Sequence, residues 1–315
     1  MSYAPFSMQA PMAVVCDAWL ESVERSRRVE EEISAHGGVR HLVQFSGGLG
    51  SWATAKRVVE RHGNEGVYLL FADVQMEDPD LYRFVLEGSA NIGAQLVIIS
   101  EGRNPWELFR DQHCIGTSKV DLCSSKLKRD LLDKWRNKHC TPEATTIHVG
   151  IDWTEEHRLR NARKACAPWK YESYLTEPPY ITKDDVRRWL AAEGIELPAL
   201  YKQGFPHNNC GGFCIKAGRA QFRLLLRTHP ERFKWHEEQE QSVRALQSSL
   251  GVQQGHVMYK DKNGTRRRIT LKEFRESEER SERDQGDEFD WGGCGCALAT
   301  IDALQDQDSN KELAD

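Results

Sequence analysis

The sequence predicts an α/β fold, a parallel sheet with helices on both faces followed by a mainly helical C-terminal region. Three observations carry this. Four short, nearly continuous apolar runs alternate with segments of helical periodicity between His41 and Ala165. A glycine and serine loop directly follows the first run and opens a helix. The alternation then stops near Cys166 and gives way to longer helical patterns. Strands that are apolar nearly throughout, separated by helices, belong to a parallel sheet buried on both faces and joined by right-handed crossovers.

Taken in order, an irregular start leads into an amphipathic helix over Cys16–Ala35, closed by Gly37-Gly38 as C-cap and break. The runs His41–Phe45, Val67–Asp73, Gln95–Ser100 and Thr145–Gly150 predict strands. The segments that follow them, Ser51–His62, Asp80–Asn91, Pro105–Gln112 and Glu155–Ala165, predict helices. Thr182–Glu193 opens with a threonine N-cap and acids in its first turn, which predicts another helix. Leu197–Phe213, rich in Pro, Gly and Asn, predicts a loop. Helices are expected over Ile215–Thr228 and Pro230–Ser248, the second with proline in its first turn. Val257–Leu271 predicts a hairpin around Lys262-Asn263-Gly264, Arg275–Arg283 a charged helix, and Gln305–Asp315 a frayed end.

Composition excludes several classes. The 315 residues are 39% hydrophobic and 29% charged, so disordered and collagen-like chains are ruled out. No run approaches ~18 apolar residues, and Met1–Arg40 lacks a basic start followed by an apolar block, so neither a membrane span nor a secretory signal is expected. The expected compartment is the cytoplasm, where the nine cysteines, an odd count, stay reduced. The net charge of −5 hides an asymmetry: Arg275–Asp315 holds four basic and thirteen acidic residues, so the rest of the chain carries +4. Between Lys119 and Lys170 stand twelve basic and seven acidic residues. With Lys126, Lys128 and Arg129 expected at a helix start, where cations oppose the macrodipole, this strip points to a polyanion nearby.

The strongest motif is Phe45-Ser46-Gly47-Gly48-Leu49-Gly50-Ser51. Its glycines let backbone N–H groups turn onto phosphate oxygens, and the serine hydroxyls and helix N-terminus add donors and positive dipole. The Lys-Ser/Thr ending of a Walker loop is absent, and the spacing is not Gly-x-Gly-x-x-Gly.

Ser46-Gly47-Gly48-Leu49-Gly50-Ser51 resembles the Ser-Gly-Gly-x-Asp-Ser loop of the PP-loop ATP pyrophosphatases, in the branch of the phosphoadenosine phosphosulfate (PAPS) reductases. It departs at Gly50, where that family has Asp. Further likenesses follow in order over about residues 40–218. Phe71-Ala72-Asp73 with Glu77-Asp78 is similar to the family's acidic strand end, and Leu122-Cys123-Ser124-Ser125-Lys126-Leu127-Lys128-Arg129 to its Cys-x-x-x-Leu-Lys segment. Gly150 with Glu155-Glu156-His157-Arg158 resembles a strand-end run of several branches, and Leu200-Tyr201-x-x-Gly204 the Leu-Tyr-x-x-Gly of reductase-like members. The resemblance implies a flavodoxin-like sheet of the adenine nucleotide α-hydrolase kind. It also implies ATP with Mg2+ held by Ser46, Gly47, Gly48, Leu49, Gly50, Ser51, Asp73 and Gly150, with Lys126, Lys128 and Cys123 near the chemistry.

The cysteine pattern is the second strong signal. Cys210-Gly211-Gly212-Phe213-Cys214 and Cys294-Gly295-Cys296 sit among glycines that let four thiolates converge, which suits one tetrahedral Zn2+ or one [4Fe-4S] cluster. The C-terminal Glu-Cys-Gly-x-His of true PAPS reductases is absent. Cys114 and Cys166 are candidate partners near the same strand ends, Cys16 and Cys140 read as structural, and His207 is a candidate contact to the metal ligands or substrate, although a loop histidine is more often neither. Trp153, Trp169, Trp189 and Trp235 fit core or lid packing better than base stacking.

The expected organisation is a helical extension over 1–38, a nucleotide-binding domain over 39–200, a helical region with the four-cysteine metal or cluster site over 201–300, and an acidic tail over 301–315. The resemblance implies an ATP pyrophosphatase that adenylylates a substrate for sulfur transfer, with DNA or RNA as favoured acceptor (phosphorothioation or thiolation type), a cysteine desulfurase as sulfur donor, and a homodimer as an allowed state. The alternatives are an adenylyl-sulfate reductase using Cys123, and a non-catalytic nucleotide-binding subunit of a modification or defence complex.

Overall fold

A computed structural model describes residues 10–34, 37–117, 120–262 and 265–280. Five parallel strands form one sheet in the order β3-β2-β1-β4-β5: β1 (His41–Gln44), β2 (Val67–Asp73), β3 (Gln95–Ser100), β4 (Thr146–His148) and β5 (Lys170–Glu172). The expected strands are present, with β1 and β4 shorter than their apolar runs. The fifth was missed because three residues with one buried side chain, Tyr171, leave no readable periodicity inside a basic strip. The order also departs from the 2-1-3-4-5 arrangement of a flavodoxin-type sheet. Here the chain leaves β1 on one side to build β2 and β3, then crosses back and continues on the other side with β4 and β5. The crossovers therefore diverge between β1 and β4, and a crevice opens at the carboxyl ends of those two strands.

Both faces of the sheet are covered, as the apolar runs require. Val43, Phe45, Leu69 and Phe71 pack with α2 (Leu49–His62), α3 (Pro79–Ile92) and α7 (Lys183–Ala192). Leu42, Tyr68, Leu70 and Val97 pack with Leu132 and Trp135 of α5 (Asp130–His139). Each such side chain contributes on the order of 1.5–3 kcal/mol on burial. The first helix, α1, runs over Ala10–Glu32, starting earlier and ending sooner than expected, and lies along the edge strand β3. Its Ser26, 1% exposed, accepts a hydrogen bond from the Ile98 backbone N–H at 2.9 Å and donates to the Ser22 carbonyl at 2.8 Å. Trp19 meets Phe71 edge-on at 5.6 Å.

The remaining helices are α4 (Pro105–Asp111), α6 (Glu156–Ala165), α8 (Ala199–Lys202), α9 (Arg219–Thr228), α10 (Pro230–Ser249) and α11 (Leu271–Glu279). The stretch expected as a loop, Leu197–Phe213, thus contains α8 and a 3₁₀ turn at Cys210–Gly212. α11 begins four residues before the expected charged helix because Thr270 and Glu273 form a capping box. The hairpin strands β6 (Met258–Lys262) and β7 (Thr265–Ile269) pair antiparallel as expected, while its turn at 263–264 and the segment 281–315, with the acidic tail, lie outside the described residues. The core beneath α8–α11 is built across residue 200: Trp106, Phe109 and Leu127 pack in one cluster with Leu200, Phe213, Phe222, Phe233 and Phe274. Within it the fully buried Glu240 accepts from the N–H groups of Val257 (3.1 Å) and Leu271 (2.7 Å), and burial pushes its carboxyl up to about 7. Among the described residues no helix is long and apolar enough to cross a membrane.

On one sheet face the ring nitrogens of His41 (Nδ1) and His148 (Nε2) lie 3.0 Å apart, and His41 stacks on His62 at 4.1 Å. Burial, reinforced for His41 by His62 and Arg40 and for His148 by His41, His62 and Arg61, lowers the two to about 4 and about 3. An unfolded histidine takes up its proton near 6.5. Between pH 6.5 and 4 the unfolded chain therefore binds more protons at these sites, and their contribution to stability falls as pH falls. Glu240 acts in the opposite sense between about 7 and the ordinary carboxylate range, so the comparison of interest is between wild type and a variant that retains it. In urea titrations at pH 6.5 and 4.5, His41→Gln is expected to lose less stability on acidification than wild type; equal losses would clear the histidines of this role.

Candidate functional site

The crevice between β1 and β4 is lined by Ser46, Gly48, Leu49, Gly50 and Ser51 after β1 and by Gly150, Ile151 and Asp152 after β4. Gly48 is the N-cap of α2 and offers no side chain, so the first-turn amides of the helix have no side-chain cap. Ser51 organises the turn from within: its hydroxyl donates to the Gly48 carbonyl at 2.8 Å and accepts from the Ser46 N–H at 3.2 Å. Gly47 holds φ +72°, and a Cβ there would stand 3.0 Å from Leu81 and Val85 on α3. The result is a rigid loop presenting uncapped amides and the positive end of a fourteen-residue helix at a strand end, a site suited to an anion.

Cations line the rest of the cavity: Lys128, Arg158, Lys183 and Arg187, against the carboxylates Asp152 and Glu155. The Lys128 ammonium lies 3.5 Å from Glu77, both side chains largely buried. Arg158 pairs with Glu155 at 2.7 Å. Tyr201, Pro206, His207 and Asn209 form a wall contributed by the C-terminal region, and Asn208 fastens it by donating its side-chain amide to the Gly47 carbonyl at 3.2 Å.

Gly50 explains its own departure from the Asp of the resembled loop. A Cβ at Gly50 would lie 2.9 Å from the Gly150 carbonyl oxygen, and one at Gly150 would lie 2.7 Å from Gly50 C and Ser51 N. The loops after β1 and β4 touch backbone to backbone, leaving no room for a side chain on either.

The other expected residues divide. Gly150 and the Ser46–Ser51 loop surround the cavity, Gly47 acting as its hinge against α3. Asp73 is 1% exposed and holds the turn after β2, its Oδ1 accepting from the Gln75 N–H (2.8 Å) and the Tyr82 hydroxyl (3.0 Å). Burial raises its carboxyl above the ordinary range, and the adjoining wall of the cavity is formed by Leu70, Phe71 and Ala72. Glu77 and Asp78 dock the cysteine loop: Glu77 accepts from the Cys210 N–H, and Asp78 pairs at 2.8 Å with Arg232, which also donates to the Gly211 carbonyl.

The basic segment is a π-helix over Cys123–Arg129 that runs directly into α5. Its cations therefore lie mid-helix rather than at a helix start, and the expected conflict with the macrodipole does not arise. Lys126 is half-exposed and pairs with Asp130 at 2.9 Å, while Arg129 pairs with Asp121 at 2.7 Å. Lys128 turns inward and alone of the three lines the cavity.

Lys128 also borders a second, smaller chamber lined by Cys123, Cys210, Cys214, Val74, Met76, Trp106, Phe213 and Ile215. The structure thus brings Cys123 beside Cys210 and Cys214, a grouping that sequence spacing did not suggest. Cys294 and Cys296 lie outside the described residues, and among the described residues no group of three or more His, Cys, Asp or Glu side chains is arranged to hold a metal ion. Asn208, Arg232, Lys183 and Arg187 escaped the sequence reading because each reaches the site only through tertiary docking. No protein-family model matches the chain, and no curated protein matches its sequence.

The Gly50–Gly150 contact makes a measurable demand. Gly50→Asp, which restores the residue of the resembled loop, is expected to lower stability by about 1–3 kcal/mol in urea unfolding through overpacking. Gly50→Ala should already show most of that loss; wild-type stability in both variants would mean that the loops part freely.

Proposed function

We propose that this chain is a PP-loop ATP pyrophosphatase with an adenine nucleotide α-hydrolase-like fold, which adenylylates an acceptor, favoured to be nucleic acid, for sulfur transfer. The observation that carries this reading is the uncapped N-terminus of α2 at the β1/β4 crevice, facing the cations Lys128, Arg158, Lys183 and Arg187. Four positive side chains around helix amides suit a polyphosphate better than a single carboxylate ligand. The motif resemblance described above names the chemistry.

In the proposed reaction an acceptor oxygen attacks the α-phosphorus of ATP, the α–β P–O bond breaks, and pyrophosphate leaves with its electron pair. A sulfur nucleophile then displaces AMP from the acceptor. The α2 amides and Ser46 hold the departing phosphates, and Lys128 stabilises the charge that grows on the bridging oxygen. Mg2+ carried with the nucleotide supplies further charge neutralisation, and Asp152 and Glu155 are the cavity's oxygen donors of the kind it takes. The Lys128 ammonium has three donors, so it meets the phosphate while keeping Glu77, 3.5 Å away, as its neighbour. Cys210 and Cys214, which line the apolar chamber beside it, would supply two of the four soft donors that a Zn2+ or an iron-sulfur cluster takes, with Cys294 and Cys296, outside the described residues, as the other two.

Pyrophosphate release from ATP in the presence of cell extract is the direct measurement. Lys128→Ala is expected to reduce it by about 10²–10³-fold. Lys126→Ala, which loses only an exposed ion pair, should stay within about threefold of wild type. Wild-type release no greater than that of Ser46→Ala would falsify the reading. For the cysteines, anaerobically purified protein is expected to carry iron or zinc that is lost in Cys210→Ala and Cys214→Ala. Cys140→Ala should keep it, since burial pushes the Cys140 thiol up to about 11 and leaves it inert.

A further inference from the structure

Beside the cavity stands a pair of exposed aromatic rings that the ATP chemistry does not use. Trp153 is 43% exposed and Tyr180 59% exposed, with ring centroids 5.7 Å apart and planes inclined by 49°. The sequence expectation of core or lid packing for Trp153 is therefore corrected. The pair is held at the cavity's edge: Trp153 follows the lining residue Asp152, Tyr180 precedes the lining residue Ile181, and the indole N–H donates to the Ile181 carbonyl at 3.1 Å. That bond spends the ring's only donor and fixes its orientation, leaving its apolar surface to the solvent. The other large exposed hydrophobic side chains among the described residues, Leu20, Val120, Leu250 and Val252, are aliphatic.

We infer that Trp153 and Tyr180 form a stacking platform for an unpaired base of single-stranded nucleic acid, whose backbone runs over α6. This rests on the reading that an acceptor is activated in the adjoining cavity. Charge favours this occupant: α6 carries Arg158, Arg160, Arg163 and Lys164, of which Arg158 pairs with Glu155 at 2.7 Å, Arg160 with Glu156 at 3.4 Å and Arg163 donates to the Tyr171 carbonyl, so the helix with its two acids keeps a surplus of two positive charges. Lys183, exposed beside Tyr180, has no carboxylate within ion-pair distance among the described residues. Aromatic faces next to such a strip fit a polyanion with planar groups, and an unpaired strand fits better than a duplex, whose bases already stack on one another. Stacking on one ring is worth about 1–3 kcal/mol per base.

The experiment measures binding of a fluorescein-labelled mixed-sequence 12-mer, as DNA and as RNA, to the full chain by anisotropy at low salt. Binding of a non-hydrolysable ATP analogue is measured in parallel by calorimetry. Trp153→Ala and Tyr180→Ala are expected to weaken oligonucleotide binding roughly tenfold, Trp153→Phe to retain most of it, and Lys164→Ala, on α6 outside the cavity, to reduce its salt dependence, with ATP-analogue affinity unchanged throughout. An oligonucleotide that wild type does not bind, or binds as well as Trp153→Ala does, overturns the platform. Loss of ATP-analogue affinity with oligonucleotide binding intact also overturns it and assigns the rings to the nucleotide. Platform-dependent oligonucleotide binding without any pyrophosphate release would sink the proposed reaction and leave the platform standing.

Discussion

The backbone contact between Gly50 and Gly150 is the constraint on which the site depends. It joins the loop after β1 to the loop after β4 at the point where the sheet's crossovers diverge, and so fixes the floor of the crevice. Because neither position has space for a Cβ, the helix amides of α2 and the carboxyl end of β4 approach more closely than side chains permit. The walls then follow from docking against this floor. Asn208 ties the C-terminal region to Gly47, the Cys210 N–H ties it to Glu77, and Arg232 ties Asp78 to Gly211. Each tie joins a polar group from before residue 200 to one after it, and one apolar cluster crosses the same boundary.

Lys128 occupies the seam that this docking creates. It faces the β1/β4 cavity on one side and the cysteine chamber on the other, with Glu77 as its carboxylate neighbour. Two positions along a helix turn a side chain about halfway round, so Lys128 faces inward while Lys126 stays on the exposed side. Two lysines two positions apart in sequence thus differ in kind: one is a half-exposed partner of Asp130 and the other a buried charge between two chambers.

Much of the fold is legible in the sequence. Strands β2 and β3 announce themselves as apolar runs with the bounds they have in the structure, β2 because it is buried on both faces nearly throughout and β3 because its centre, Val97 and Ile98, is. The Ser46–Ser51 loop is legible because glycine spacing directly after a strand and before a helix has few other uses. β5 is not, because a strand of three residues makes its hydrogen bonds without imprinting a pattern. The strand order is not legible either: periodicity marks each strand but not its neighbours. Lys126 and Lys128 look alike because packing, not local pattern, decides which of two opposite helix faces turns inward, and Cys123 is separated from Cys210 and Cys214 by 87 or more positions that only tertiary packing closes.

The hydrogen bond from the Ile98 amide to Ser26 makes β3 an edge only in name. A donor that would otherwise solicit another chain is satisfied by a hydroxyl from a helix that precedes the sheet in sequence. Solvent exchange at Ile98 then reports the departure of α1 rather than fraying of β3, and the N-terminal helix serves as a guard against edge-to-edge association. The covering of this edge thus falls to a helix none of whose described residues lines the β1/β4 cavity.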